Sequence, residues 1–379
     1  MHSVKNELIM SKMKTIITGI KGRLSDLYTV SRNKHLKNDR LNKAKRYYQS
    51  KREHQLPLSE AQKAGIIAYW KPYIDVSGEL NWFAFYNAYC EDPASLKRYV
   101  PDSVFYTGVD MFYTDVRRCY DLDDKNLYDL YFGDVARPAT VVRRCNGALM
   151  DRDYRPVTVE QAVGLCQAAG RVIYKPSRNS QGGKGIHFHD MAAASSAHEL
   201  KSRMAGRHDF IIQEVIAQHE CLDRIHDKSV NTVRIMTFYY QDRVHILSSV
   251  LRMGRDGARV DNASSGGIFC GIDGEGRLKA TAYDTSGNRW TRHPQGVVFE
   301  GYEIVGYDKC RELVKSLSGR FCTASRLLSW DLAIGADGNP LVIEVNMTFG
   351  QVDFHQMCNG PIFGDLTDEV LSQVFAASR

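Results

Sequence analysis

The chain lacks any pairing pattern among its cysteines. Nine are scattered singly over 379 residues, at Cys90, Cys119, Cys145, Cys166, Cys221, Cys270, Cys310, Cys322 and Cys358, and none stands in a CxxC. That usage argues against a disulfide framework or a structural zinc site and fits a reducing cytoplasm. No run of 18 apolar residues occurs and the N-terminus has no apolar stretch of signal-peptide quality, so neither a membrane span nor a leader is expected. Charge of one sign is not in large excess. Lys+Arg number 50 against Asp+Glu 44, a net +6 that suits an anionic substrate, an anionic surface or simple solubility and is too weak to indicate nucleic acid. Zinc-finger spacing, RNA-binding sheet motifs, a GxSxG elbow and internal repeats are all missing.

What is there is an ordinary globular composition, 43% hydrophobic and 25% charged, with enough chain for two or three modules. Residues 1–60 are Lys- and Arg-rich and read as a basic helical segment. Met13, Ile16, Ile17, Ile20, Leu24, Leu27 and Tyr28 recur at helical spacing. This stripe fits a helix packed on its own domain, the preferred reading, or one making peripheral contact with the inner face of a membrane. Asn33 to Arg52 reads as a long exposed helix or a mobile arm. Residues 61–150 read as a mixed domain, with two aromatic-rich helices and a short strand in "PATVVRRCNG". From 151 onward a Thr-capped helix ending at Gly170 leads into β-branched runs broken by glycine loops, the pattern of an α+β region with antiparallel strands.

Four constellations carry chemistry. In "YKPSRNSQGGKGIHF", Lys175 ends a strand and a loop with Ser180, Gln181, Gly182, Gly183, Lys184 and Gly185 follows. Such a loop lets backbone N–H groups approach phosphate oxygens, and Lys175 adds a point charge; the alternative is a flexible hairpin. In "FIIQEVI", Gln213, Glu214, Val215 and Ile216 offer an apolar edge for an adenine, with Glu220 placed to accept from ribose; the alternative is a buried strand with a surface acid. Asp331, Glu344 and Asn346 lie on the two strands of a hairpin, Glu344 and Asn346 on one face. Oxygen ligands on a rigid sheet suit Mg²⁺ bridged to phosphates, against the alternative of an acid satisfied by arginine. Arg234, Arg252 and Asn262 could stabilise a transferring phosphoryl group or an acyl oxyanion, or pair with carboxylates. The "HFHD" run at His187 reads as a strand face with two exposed histidines.

The order of these motifs resembles the ATP-grasp superfamily, and most closely its sugar-transfer-associated branch, related to α-L-glutamate ligases. The resemblance runs from about Pro138 to Val370, with an echo in "YDLDDKNLYDLYF". It implies two α+β subdomains gripping ATP: a lid subdomain over 151–216 and a large subdomain with a Mg-binding hairpin over 217–379. It implies that Lys175 and the Ser180–Gly185 loop clamp the triphosphate, that Glu214 and the Val215–Ile216 backbone hold adenine, and that Asp331, Glu344 and Asn346 bind Mg²⁺. Arg252 and Asn262 would sit near an acyl phosphate, and Arg234 matches the arginine of a D-x-R strand, where Asn231 replaces the acid or lies one position out of register. The earlier lysine that many relatives use has Arg143 or Arg144 in its place. The expected activity is ADP-forming joining of a carboxylate, such as a sugar acid or glycan unit, to an amine in surface polysaccharide synthesis. A phosphotransferase acting on a hydroxyl and a non-catalytic nucleotide-binding scaffold remain as alternatives.

Overall fold

A computed structural model describes residues 34–46, 48–49, 54–178, 183–206 and 208–376. The apolar stripe from Met13 to Tyr28, and with it the membrane reading, lies outside the described residues. The chain divides into two units, Met1–Ser50 and Lys51–Arg379, rather than at residue 60. In the first, residues 34–46 and 48–49 are helical, with an i,i+4 ion pair of 3.0 Å between Lys43 and Asp39.

The second unit opens with helices. Helix α1 (Glu60–Trp70) starts on a capping box in which Ser59 and Gln62 exchange hydrogen bonds, and α2 (Leu80–Asn87) buries Trp82, Phe83, Phe85 and Tyr86. Helical turns over 102–113 and α3 (Val116–Leu122) follow.

Two antiparallel sheets come next. The smaller has strands β1 (Thr140–Cys145), β2 (Ala148–Asp151), β3 (Arg171–Pro176), β4 (His187–Asp190) and β5 (Phe210–Glu214), in the order β2-β1-β5-β3-β4. Asn146 and Gly147 turn β1 into β2 with φ of 48° and 80°, the Asn-Gly preference of a tight hairpin. This sheet begins at Thr140, so the division expected at residue 151 separates its first hairpin from the strand β5 that β1 pairs with. Helix α4 (Val159–Ala169) is capped by Thr158, stops at Gly170 (φ 78°), and with α5 (Ser196–Met204) covers a core of Val142, Val172, Phe210 and Ile212. His189 is buried in this sheet, against the expectation of an exposed histidine face, because Met191 and the helices close over that side.

The larger sheet runs β10-β9-β8-β7-β6-β11-β12, with β6 (Thr232–Tyr240), β7 (Arg243–Met253), β8 (Ile268–Ile272), β9 (Leu278–Asp284), β10 (Arg289–Trp290), β11 (Leu327–Ile334) and β12 (Pro340–Asn346). Helix α6 (Tyr307–Ser318) packs Cys310, Val314 and Leu317 on Val233, Ile235, Leu251 and Trp330. Helices α7 (Val352–Asn359) and α8 (Thr367–Ala376) complete the unit. All nine cysteines are free. Among the described residues, no helix is long and apolar enough to cross a membrane.

Candidate active site

Strand register decides which side chains meet. Asp331 on β11 pairs with Arg234 on β6 and with Glu344 on β12, and Ser329 pairs with Asn346. Thr232 pairs with Arg252 on β7, two residues from the Arg234–Val250 pair and on the same face. Three neighbouring strands thereby place Arg234, Arg252 and Asp331 side by side, each about nineteen-twentieths buried.

Asp331 is gripped by both arginines. Arg234 donates from Nε to Oδ1 at 2.6 Å and from Nη2 to Oδ2 at 2.5 Å, and Arg252 Nη1 donates to the two oxygens at 3.1 and 3.2 Å. Burial alone pushes this carboxyl up; the guanidiniums outweigh it and hold the pKa at about 2. Arg234 Nη1 also reaches Gln351, while Arg252 Nη2 donates to Asn262 Oδ1 at 2.6 Å and to Asp261 at 3.4 Å. Asp261, absent from the sequence-based candidates, is buried and takes a hydrogen bond from Thr232; burial raises its pKa against the pull of Arg252. Asn231 lies off this face. Its Nδ2 staples the loop carbonyls of Leu222 and His226.

On the other side of Asp331, Glu344 Oε1 accepts from Lys125 Nζ at 2.8 Å. Lys125 is buried, and although burial favours its neutral form, the Glu344 carboxylate raises its pKa. Sequence reasoning missed this lysine and looked instead to Arg143 or Arg144. Both of those are spent elsewhere: Arg143 is fully buried against Asp129 and Asn126, and Arg144 donates to the carbonyls of Met204 and Gly206. The signal for Lys125 was its place within the "YDLDDKNLYDLYF" echo. The segment carrying it is stitched to both sheets. Lys125 N–H donates to Ser177 O at 2.9 Å, Arg178 Nε to Asp124 at 2.9 Å and Asn126 Nδ2 to Arg144 O, while Val345 N–H donates to the Tyr128 hydroxyl at 3.2 Å.

Lys175 ends β3 opposite Ile211 and is 6% exposed. Its pKa is pushed down to about 8, first by burial and then by the neighbouring Lys125 charge, with Glu344 opposing. Lys175, Lys125 and Glu344 therefore share one electrostatic neighbourhood. No acceptor for the Lys175 ammonium is found among the described residues.

Ser180, Gln181 and Gly182 lie outside the described residues. Gly183 (φ 73°) sits so close to Asn262 that a Cβ would stand 2.9 Å from its Nδ2, and Gly185 (φ 75°) is equally tight against Pro176. Lys184 is exposed. In the β5 run, Gln213 donates to Pro138 O at 3.2 Å, and the N–H groups of Glu214 and Val215 bond Ala139 O and Arg171 O. Glu214 is exposed, and Ile216 is the next residue with an N–H outside these bonds. Glu220 is exposed and pairs with Arg224 at 3.1 Å, apart from the Asp331 and Glu344 clusters. A small recess of about 10 Å³, lined in part by Met236, Ser329, Asn346 and Gly350, lies beside Asn346.

The residues present suit a divalent cation in part. Asn346 Nδ2 points to Asp331 Oδ2 (3.4 Å) and Ser329 O (3.3 Å), and neither Asn346 Oδ1 nor Glu344 Oε2 has a hydrogen-bond partner among the described residues. Asp331 differs from the sequence expectation, since its oxygens face guanidiniums. Among the described residues no three His, Cys, Asp or Glu side chains are grouped to hold a metal.

Two antiparallel subdomains, with a glycine loop and lysines on one and clustered acids on the other, define the ATP-grasp fold. The chain belongs to the sugar-transfer associated ATP-grasp family, whose description matches residues 158–370. Among solved structures it is similar to D-alanyl-alanine synthetase A from Vibrio cholerae O1 biovar eltor (11% identity, 67% of this chain and 65% of that one, TM-score 0.40). It is also similar to the ATP-grasp ligase PsnB complexed with minimal precursor (17%, 69% and 64%, 0.40) and to D-cycloserine synthetase DcsG (15%, 68% and 73%, 0.41). The chain thus spans slightly under two thirds of the first two. No curated protein matches it.

Proposed function

We propose that this chain is an ATP-dependent, ADP-forming carboxylate–amine ligase that works through an acyl phosphate. The observation that carries the reading is Lys175, a buried ammonium with no acceptor among the described residues, beside a second buried lysine. Two adjacent buried cations are costly even with Glu344, Asp123 and Asp124 near Lys125, and a polyanion such as a triphosphate offsets that cost. Lys175 and Lys125 then hold the phosphates from the sheet, and the Ser180–Gly185 loop covers them. The apolar edge from Gln213 to Ile216 holds adenine, with the Ile216 N–H as hinge donor because those of Glu214 and Val215 are used within the sheet. Glu220 takes the ribose.

Mg²⁺, when bound, neutralises charge on the distal phosphates, and Glu344 Oε2 with Asn346 Oδ1 would hold it. A substrate carboxylate oxygen attacks the γ-phosphorus, the bond to the β–γ bridging oxygen breaks, and ADP leaves. An amine nitrogen then attacks the acyl carbon and, after losing a proton, forms the amide as phosphate departs. Arg252, Arg234 and Asn262 face the oxyanion of that step. The family's sugar-transfer association supports a glycan setting; a sugar acid as the carboxylate, joined to an amino acid or other amine, is the substrate pair we propose.

The test is mass spectrometry of products after incubation with ATP, Mg²⁺, sugar acids and amines. The reading expects ADP, free phosphate and an amide that appears only when an amine is present. ADP with a phosphorylated acceptor and no free phosphate would show a phosphotransferase instead. No ADP across a broad panel would show a non-catalytic nucleotide binder.

A further inference from the structure

We propose that the loop joining β7 to β8, residues 254–267, makes the hold on Arg252 depend on where the smaller sheet stands, with Arg259 and Asn262 as its positioning residues. The purpose of this coupling rests on the ligase reading above, in which Arg252 faces the oxyanion; the coupling itself is a property of the chain.

Both roots of the loop are fixed. Gln295 N–H donates to His293 Nδ1, so the His293 proton lies on Nε2, which donates to Gly254 O at 2.8 Å. A Cβ on Gly254 would stand 2.4 Å from Ser229 Oγ, and one on Gly267 would stand 2.5 Å from Asp261 O, so neither root has slack. Arg255 closes the base: its Nε donates to Gly266 O and its guanidinium lies 5.0 Å from the Trp290 ring centroid.

Between these roots the loop faces two ways. Toward the larger sheet, Asp261 accepts from Thr232 and from Arg252 Nη2 at 3.4 Å, and Asn262 Oδ1 accepts from the same Nη2 at 2.6 Å. Toward the smaller sheet, the exposed Arg259 places its guanidinium 4.4 Å from the Phe188 ring centroid on β4. Val260 and Asn262 Nδ2 stand 3.5 and 2.9 Å from where a Gly183 Cβ would be. Strand β4 pairs with β3, which ends in Lys175.

Asn262 therefore meets both sides with one planar amide. A displacement of Gly183 against Nδ2 turns Oδ1 relative to Arg252, and a hydrogen bond weakens steeply as it bends toward about 120°. Arg259 holds the loop tip on β4, so the loop follows that strand. Arg252 is then held best when the sheet bearing Lys175 is in place, which under the ligase reading links the phosphate side of the site to the oxyanion side.

Nitrogen-15 NMR of the arginine Nε–H groups in the unliganded full chain reads Arg252 directly, its signal assigned by its loss in Arg252→Lys. Phe188→Leu and Arg259→Ala should each shift or broaden that signal, and the double variant should add little to the larger single effect. An unmoved signal in both variants, or fully additive effects, would overturn the inference. Arg259 is exposed, so its variant decides if Phe188→Leu does not fold. In hydrogen–deuterium exchange, Arg259→Ala should speed the loop amides by about threefold, the scale of an exposed cation–π contact. Adding AMP-PNP and Mg²⁺ should slow those amides in the wild type, and by less than half as much in Arg259→Ala. Binding of AMP-PNP that leaves the wild-type loop unchanged overturns this inference alone. Failure to bind AMP-PNP overturns the nucleotide reading, and the unliganded spectra still decide the coupling.

Discussion

Lys125 Nζ donates to Glu344 Oε1 at 2.8 Å and so ties the segment ahead of the first sheet to the last strand of the second. Lys125 N–H is meanwhile bonded to Ser177 O, two residues beyond Lys175. One residue thus sets the spacing between Lys175 and Glu344. Lys125→Met leaves Glu344 without its cation. Because the Glu344 side chain is 25% exposed, the stability loss should fall at or below about 3 kcal/mol, the low end for a broken buried pair. Urea unfolding followed by tryptophan fluorescence measures it, and AMP-PNP affinity should fall in parallel.

Under the proposed function, Lys175 should make nucleotide binding pH-dependent. Its pKa of about 8 lies below the ordinary 10.5, so the unfolded chain binds more protons between those values and the folded state gains stability as pH rises through that window. A bound polyanion restores the charged form. At pH 8.5, where roughly three quarters of the side chain is neutral, binding of AMP-PNP should take up about 0.7 proton. Calorimetry in buffers of different ionisation enthalpy reads this directly, and Lys175→Met should abolish the uptake.

Asp331 carries the opposite dependence. Its pKa of about 2 is below the unfolded value of about 3.9, so its stabilisation is complete above pH 4 and disappears as pH falls to 2. Asp331→Asn strands two buried guanidiniums and should cost about 3–5 kcal/mol at pH 7. The gap between wild type and variant in unfolding experiments should close as pH approaches 2.

Gly183→Ala places a Cβ against Asn262 at a positive φ. Forcing an L side chain into that region costs about 1–2 kcal/mol. Since Asn262 also accepts from Arg252, the effect should appear as roughly tenfold weaker nucleotide binding with a melting temperature changed by only a few degrees. Differential scanning fluorimetry with and without AMP-PNP separates the two.

The sequence showed clearly where local chemistry decides the element. The capped helix from Val159 to Ala169, the amphipathic helix from Tyr307 to Ser318 and the long strands β6, β7, β11 and β12 follow from caps and periodicity. Helix α7 was invisible because polar Asp353, His355 and Gln356 are buried together with Val352, Phe354 and Met357, so polarity does not divide its faces. The pairing of strands β8 to β10 is set by their neighbours. In the site, Glu344 and Asn346 were readable from alternation on one strand. Lys125 was not, as its partner lies 219 residues away, and the grip on Asp331 reaches across 97 residues to Arg234 and 79 to Arg252. Which carboxylate meets an arginine and which keeps a free oxygen is decided by strand register, and that comes from tertiary pairing.

The most direct measurement is a calorimetric titration of the full chain with AMP-PNP and Mg²⁺, comparing wild type with Lys175→Met. Saturable binding by the wild type is expected, with affinity reduced at least about tenfold in the variant. Meanwhile the variant, freed of a buried unpaired charge, should unfold at equal or higher temperature. Equal affinity in the two proteins, or no binding by the wild type, would contradict the account.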